Sequence, residues 1–174
     1  MIVLGVDPGT ATTGYGLVEL RSGVLRCLDF GVIRTSPHLT TPARLSVIYR
    51  AMTDLLRSRP VQCLATERLF FARNEKTAFS VGRTIGVVLL AAAERGIAWA
   101  EYTPLQVKQA VVGYGSADKR QVQYMVQRIL GLEAVPRPDD AADALAVAIC
   151  HAHSLPVEAA RAQHDTSTEK GDPQ

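Results

Sequence analysis

Ile2-Val3-Leu4-Gly5-Val6 is a continuous apolar run closed by Asp7-Pro8-Gly9, the pattern of a buried central strand that ends in a turn and carries an acid at its tip. Gly14 to Leu20 and Val24 to Arg34 are two more strand-like runs on either side of Arg21-Ser22-Gly23, so the chain opens with three strands in an antiparallel meander. The period then changes. Leu45, Ile48, Met52, Leu55 and Leu56 recur at helical spacing behind Thr41-Pro42, an N-cap followed by a first-turn proline, and the pattern stops at Pro60. A short strand over 62–66 delivers Glu67, and a loop over 68–74 follows. A second long helix carries Ala78, Val81, Gly82, Ile85, Gly86, Leu89 and Ala93, whose small members allow close packing inside a monomer or across a dimer.

Residues 97–102 form the fifth predicted strand, and Thr103-Pro104 starts a third helix that ends near Gly113. After a loop over 113–116, Val122, Met125, Val126, Ile129 and Leu130 mark a fourth helix, and Pro136-Arg137-Pro138 introduces a fifth that runs through Ala152. From residue 154 onward the chain is polar and has no aromatic residue or periodicity, which predicts a disordered tail over 154–174 behind a single α/β domain over 1–153.

Composition agrees with one domain: 174 residues, 47% hydrophobic and with a mean hydropathy of +0.07, can bury one core. Cys27, Cys63 and Cys150 are widely spaced, odd in number and free of any CxxC pair, so neither a disulfide framework nor a zinc site is expected. The amino terminus runs straight into the first strand, and no apolar run approaches the roughly 18 residues of a membrane span. A soluble, unprocessed cytoplasmic protein with reduced thiols is the expectation. The net charge is only +2, but residues 1–151 hold seventeen Lys and Arg against thirteen Asp and Glu, a charge of +4, because the tail is acidic. A nucleic-acid partner is therefore compatible with the charge, provided the basic residues are local.

Four acids stand where acids are costly. Asp7 and Glu67 end apolar strands, and Asp140 and Asp143 lie three apart on an Ala-rich helix and so share a face. If the two strands are parallel neighbours, their ends lie about 5 Å apart at the sheet edge where α/β sites form. Carboxylates without His or Cys suit hard ions, Mg²⁺ or Mn²⁺ before zinc, and two such ions roughly 4 Å apart can activate water and steady a leaving oxygen in phosphodiester hydrolysis. Asp139 and Asp143 are also one turn apart, so spacing alone leaves open which of Asp139 and Asp140 belongs to the set.

Asp7-Pro8-Gly9-Thr10, Thr13-Gly14-Tyr15-Gly16, Ala65-Thr66-Glu67-Arg68-Leu69-Phe70, residues 106–113 and Asp140-Ala141-Ala142-Asp143-Ala144-Leu145-Ala146 together resemble the RuvC family of Holliday junction resolvases, in family order over residues 2–153. The resemblance implies a ribonuclease H-like fold, a five-stranded mixed sheet flanked by helices. It further implies a homodimer that cuts two like-polarity strands of a four-way DNA junction with Mg²⁺, two ions per active site, in recombination and repair. The catalytic acids then fall on Asp7, Glu67, Asp140 and Asp143, and the branch-migration complex of RuvA and RuvB proteins is the implied partner.

Phe70-Phe71-Ala72-Arg73-Asn74 follows Glu67, and two adjacent aromatics cannot both face one core layer. The resemblance makes one of them a residue that stacks on or wedges between junction bases, with Arg73 and Asn74 beside it. Lys108 and Lys119, two of only four lysines, are placed by the resemblance near the cut phosphate or the backbone, with Arg120 and Arg83 as further phosphate contacts. His151 and His153 are two apart on a helix and cannot share a metal. Three rival readings follow from the same residues. The Asp7 to Gly14 loop also resembles the first phosphate loop of actin-like and sugar-kinase ATPases, which need two domains. A non-catalytic junction-binding module would leave four repelling acids without a purpose, and a nuclease directed at RNA or at DNA generally is not excluded by the residues.

Overall fold

The computed structural model of the chain describes residues 1–68 and 75–168, excluding the side chains of 75–77 and 155–168. Strands β1 (Ile2–Asp7), β2 (Thr12–Arg21) and β3 (Val24–Arg34) form the antiparallel meander, and helix α1 (Thr41–Ser58) leads to β4 (Cys63–Glu67). Helix α2 (Glu75–Ala93), strand β5 (Ala98–Tyr102) and helices α3 (Pro104–Val112), α4 (Lys119–Leu130) and α5 (Asp139–Thr168) complete the order. The sheet is β3-β2-β1-β4-β5. β4 lies parallel to β1 with Val6 beside Thr66, so Asp7 and Glu67 end neighbouring strands, and β5 continues the parallel half.

Alternation along each strand divides the core into two layers. Leu4, Val6 and Leu64 face one way and pack with Ile48, Met52, Leu56 and Val88 of α1 and α2. Val3 and Ala65 face the other way and pack with Val107, Val126, Leu145 and Ile149 of α3, α4 and α5. Side chains of period two thus carry Asp7 with Val3, and Glu67 with Ala65, onto the face that α5 covers.

Helix α5 lies in backbone contact with that face. A Cβ on Gly5 would stand 2.1 Å from the carbonyl oxygen of Ala144, and one on Gly14 would stand 2.0 Å from that of Asp140. Real Cβ atoms do not come so close, so glycine at both places lets the helix settle a side chain's thickness nearer to β1 and β2 than any other residue would allow.

The structure departs from the sequence expectations at several element ends, β2 running Thr12–Arg21 rather than 14–20 and β5 starting at Ala98 rather than 97. Thr40 rather than Thr41 precedes α1, and its side chain makes no capping bond, since Pro42 starts the helix whichever threonine stands outside it. The strand expected over 62–66 runs Cys63–Glu67, so Glu67 is the last strand residue and not the first beyond it. Helix α5 continues past Ala152 to Thr168, across Pro156 and through a polar stretch with no apolar stripe to announce a helix. At α3 the expectation is met in full, with Thr103 and Gln106 forming a reciprocal capping box.

Candidate active site

Asp7, Glu67, Asp140 and Asp143 meet at the carboxyl ends of β1 and β4 beneath the first turns of α5. All four are half-buried. Burial, followed by the charges of Asp143, Asp140 and Glu67, pushes the Asp7 carboxyl up to about 7, and only Lys119 pulls it down. Glu67 is raised by burial and by Asp143, against the pull of Lys108. Asp143 is raised chiefly by burial, although Lys119 opposes the shift. Three acids are thus held above the ordinary carboxylate range because one small space concentrates negative charge and excludes water.

The Lys119 ammonium, at the first residue of α4, donates to Asp143 Oδ2 at 2.9 Å and stands 3.5 Å from Asp139 Oδ2. Asp118 caps α4 in a second capping box, which fixes the position of Lys119 at the helix start. Asp139 turns outward to Arg137, 2.6 Å away, while Asp140 adds to the charge felt by Asp7. The two aspartates that spacing could not separate therefore face different partners. Glu67, Lys108, Lys119 and Asp143 line a cleft of about 250 Å³ whose apolar walls include Val107 and Val122.

The donor set fits a divalent cation: hard carboxylate oxygens, half-buried, whose ionised forms are disfavoured until positive charge arrives. Among the described residues no three His, Cys, Asp or Glu side chains stand close enough together to grip an ion unaided.

Other expected site residues fall elsewhere. Phe70, Phe71, Arg73 and Asn74 lie outside the described residues. Arg120 follows Lys119 on α4 and is exposed, and Arg83 is exposed on α2. His151 is buried, with Nδ1 2.7 Å from the Tyr102 hydroxyl, and His153 Nδ1 is 3.0 Å from the Ala110 carbonyl oxygen, so both serve packing between α5 and its neighbours. What sequence reasoning missed is the set of hydroxyls behind Asp7. Thr10 meets Ser80 and Thr84, and Thr35 donates to the Thr10 carbonyl at 2.7 Å. The only signal in the sequence is the run of threonines in the turn itself.

Residues 3–151 match the model of the family described as "Crossover junction endodeoxyribonuclease RuvC". The protein of that name from Syntrophomonas wolfei is 58% identical over 154 residues, which span 88% of this chain and 90% of that protein. Its counterpart from Moorella thermoacetica is 55% identical over 156 residues, 90% of this chain and 93% of that protein. Thermus thermophilus RuvC, solved in complex with a Holliday junction substrate, is similar with a TM-score of 0.87 and 39% identity, covering 91% of this chain and 96% of that one.

Proposed function

The chain belongs to the RuvC family of crossover junction endodeoxyribonucleases, and from that membership we propose how its own residues divide the work. The enzyme is a metal-dependent endonuclease that hydrolyses DNA phosphodiester bonds at four-way junctions, in recombination and repair. Asp7, Glu67, Asp140 and Asp143 hold the metal, which is Mg²⁺ with Mn²⁺ as a substitute, two ions to a site. When bound, the metal supplies Lewis-acid activation of a water and neutralises charge on the phosphate.

The protein's own residues do the rest. Asp7 and Glu67, fixed by neighbouring strands, and Asp140 and Asp143, fixed by α5, define where the phosphate sits. Water attacks the phosphorus in line, the bond to the 3′ oxygen breaks, and a 5′ phosphate and a 3′ hydroxyl remain. Lys119, already against Asp143, and Lys108, beside Glu67, face the cleft from α4 and α3, and their ammonium groups balance the charge that grows on the phosphate oxygens. One of Phe70 and Phe71 contacts unstacked bases, with Arg73, Asn74 and Arg120 on the backbone. The observation that carries this reading is the Asp7 carboxyl held near 7 by burial and three other acids, an arrangement that costs stability and is relieved by a bound cation.

A homodimer supplies a second site for the opposing strand. Phe79 and Leu90 are 67% and 53% exposed on the outer face of α2, and between them a Cβ on Gly86 would meet nothing within 4 Å, so an apolar face with room at its centre is left for a second copy. The branch-migration complex of RuvA and RuvB proteins is the proposed partner, on the family resemblance. A cytoplasmic location is proposed with it, and no helix among the described residues is long and apolar enough to cross a membrane. Residues 1–153 are the nuclease domain and 154–174 an appendage to it, a division supported by a family match that ends at residue 151.

Offering the protein a four-way junction, a linear duplex and a structured RNA, each with Mg²⁺ or with chelator, tests the reading. Cutting confined to the junction with Mg²⁺ is expected. Equal cutting of the linear duplex, or nucleotide hydrolysis in place of DNA cleavage, contradicts it.

A further inference from the structure

The turn that follows Asp7 is tied to helix α2 by side-chain hydroxyls that the cleavage chemistry does not use. The Thr10 hydroxyl donates to the Ser80 carbonyl oxygen at 3.0 Å and lies 2.7 Å from Ser80 Oγ and 3.0 Å from Thr84 Oγ1. Thr84 is fully buried, and its hydroxyl also reaches the Ser80 carbonyl oxygen at 3.3 Å. Three hydroxyl protons serve four contacts: Thr10 donates to the Ser80 carbonyl and accepts from Ser80, and Thr84 gives its one proton either to Thr10 or to the Ser80 carbonyl, so each hydroxyl has a partner in both arrangements. On its other side the same turn is held by Thr35, whose hydroxyl donates to the Thr10 carbonyl at 2.7 Å and whose amide donates to the Ala11 carbonyl at 3.1 Å. Thr13 closes the turn on itself by donating to the Gly9 carbonyl at 2.7 Å.

Helix α2 has two faces that matter here. Ser80 and Thr84 point inward to the turn, while Phe79, Arg83, Gly86 and Leu90 point away from the domain. We propose that Thr10, Ser80 and Thr84 are positioning residues for strand cleavage: their hydroxyl cluster locks the turn behind Asp7 to α2, and so holds the Asp7 carboxylate in register with the acids of α5. The inference rests on the proposed role of Asp7. The physical reason is that β1 ends at Asp7 and the turn beyond it has lost the ladder, so its backbone position depends on side-chain anchors. A catalytic group displaced by about 1 Å loses on the order of 100-fold in rate, so a small loosening is legible in turnover.

The test compares Thr10→Val, which keeps the shape and deletes the hydroxyl, with Thr10→Ser, which keeps the hydroxyl and deletes a methyl. Thr84→Val serves as a second deletion, on the α2 side of the cluster. Each is measured for single-turnover cleavage of a four-way junction at saturating enzyme, for junction affinity in chelator, and for amide hydrogen exchange of the peptide covering residues 8–13. Thr10→Val should cut about tenfold more slowly, bind the junction within about twofold of the parent, and exchange faster in that peptide. Thr84→Val should shift the same way by a smaller factor, and Thr10→Ser should restore all three readings to within about twofold.

If both valine variants match the parent in rate and exchange, or if Thr10→Ser is as impaired as Thr10→Val, the inference is overturned. Should Thr10→Val not fold, Thr84→Val against its parent decides. A parent protein that does not cut the junction at all would defeat the functional reading instead, and the exchange measurement would still accept or reject the lock.

Discussion

Gly14 and Asp140 are in backbone contact: the hydrogen that stands where Cβ would be points at the Asp140 carbonyl oxygen, and a carbon there would lie 2.0 Å from it. The first turn of α5 therefore rests directly on β2, and this brings Asp140 and Asp143 down to the strand ends that carry Asp7 and Glu67. Substitution Gly14→Ala should push the helix start away from the sheet. Overpacking of this kind costs about 1–3 kcal/mol, which thermal unfolding will show, and cleavage should fall at least about tenfold, because the acids separate. Gly23→Ala, at a φ of +77° in a turn where a Cβ meets nothing within 4 Å among the described residues, should cost some stability by backbone strain yet leave cleavage unchanged.

The shifted carboxyls make stability depend on pH and metal together. Asp7 is held near 7 in the folded protein against 3.8 when unexposed to its neighbours, so the folded chain binds its proton more tightly than the unfolded chain does. The resulting stability is present below about pH 4 and is lost as pH rises through about 7, and Glu67 and Asp143 shift in the same direction. In chelator, the unfolding midpoint should therefore decline between pH 5 and 8, once the slope of Asp7→Asn is taken as the baseline. Millimolar Mg²⁺ should reverse the decline at pH 8, by RT ln(1 + [L]/Kd). The variant Asp7→Asn should raise the metal-free midpoint at pH 8 on the order of 5 °C and abolish its response to Mg²⁺.

Lys119 would compete with a metal proposed to sit on Asp143. Its ammonium donates to Asp143 Oδ2 at 2.9 Å, so a cation held at that oxygen would displace it. In Lys119→Ala the Mg²⁺ concentration for half-maximal rate should stay level or fall, since the competitor is gone. The maximal rate should drop about 100-fold, since the charge on the phosphate is no longer balanced. Single-turnover cleavage across a Mg²⁺ titration separates the two effects. A rise in the Mg²⁺ requirement would show that Lys119 helps assemble the metal site.

The outer face of α2 predicts a dimer that single residues can break. Gly86→Arg fills the open space at the centre of that face and should leave the monomer folded, because nothing among the described residues lies within 4 Å of the new side chain's first carbon. Light scattering should report half the parent mass. Junction cleavage should fall sharply, and residual nicks should no longer be paired.

Much of this was legible in the sequence, and the residues show why. Asp7 and Glu67 could be read as strand-tip acids because apolar runs announce buried strands, and Asp140 with Asp143 because helical spacing announces a face. The start of α3 at Thr103-Pro104 was equally plain, although its capping box with Gln106 was not read. Contacts between elements distant in sequence leave no periodic trace. Nothing in the chain says that Gly14 lies under Asp140, that Lys119 reaches Asp143, or that Thr10 meets residues seventy positions away. Asp139 and Asp140 were indistinguishable by spacing, and no pattern in the sequence shows that Asp139 is shared between Arg137 and Lys119. The extent of α5 was missed for the opposite reason, because helix without an apolar stripe looks like tail.

The central claim is that Asp7 holds the metal that cuts a junction the protein already recognises. Its most direct test is Asp7→Asn beside the parent on a four-way junction of defined sequence, with cut positions mapped on all four strands in Mg²⁺ and binding measured in chelator. The account predicts paired nicks in two strands of like polarity from the parent, and from Asp7→Asn undiminished binding with cleavage reduced at least about 1,000-fold. Full cleavage by Asp7→Asn, with binding intact, would contradict it.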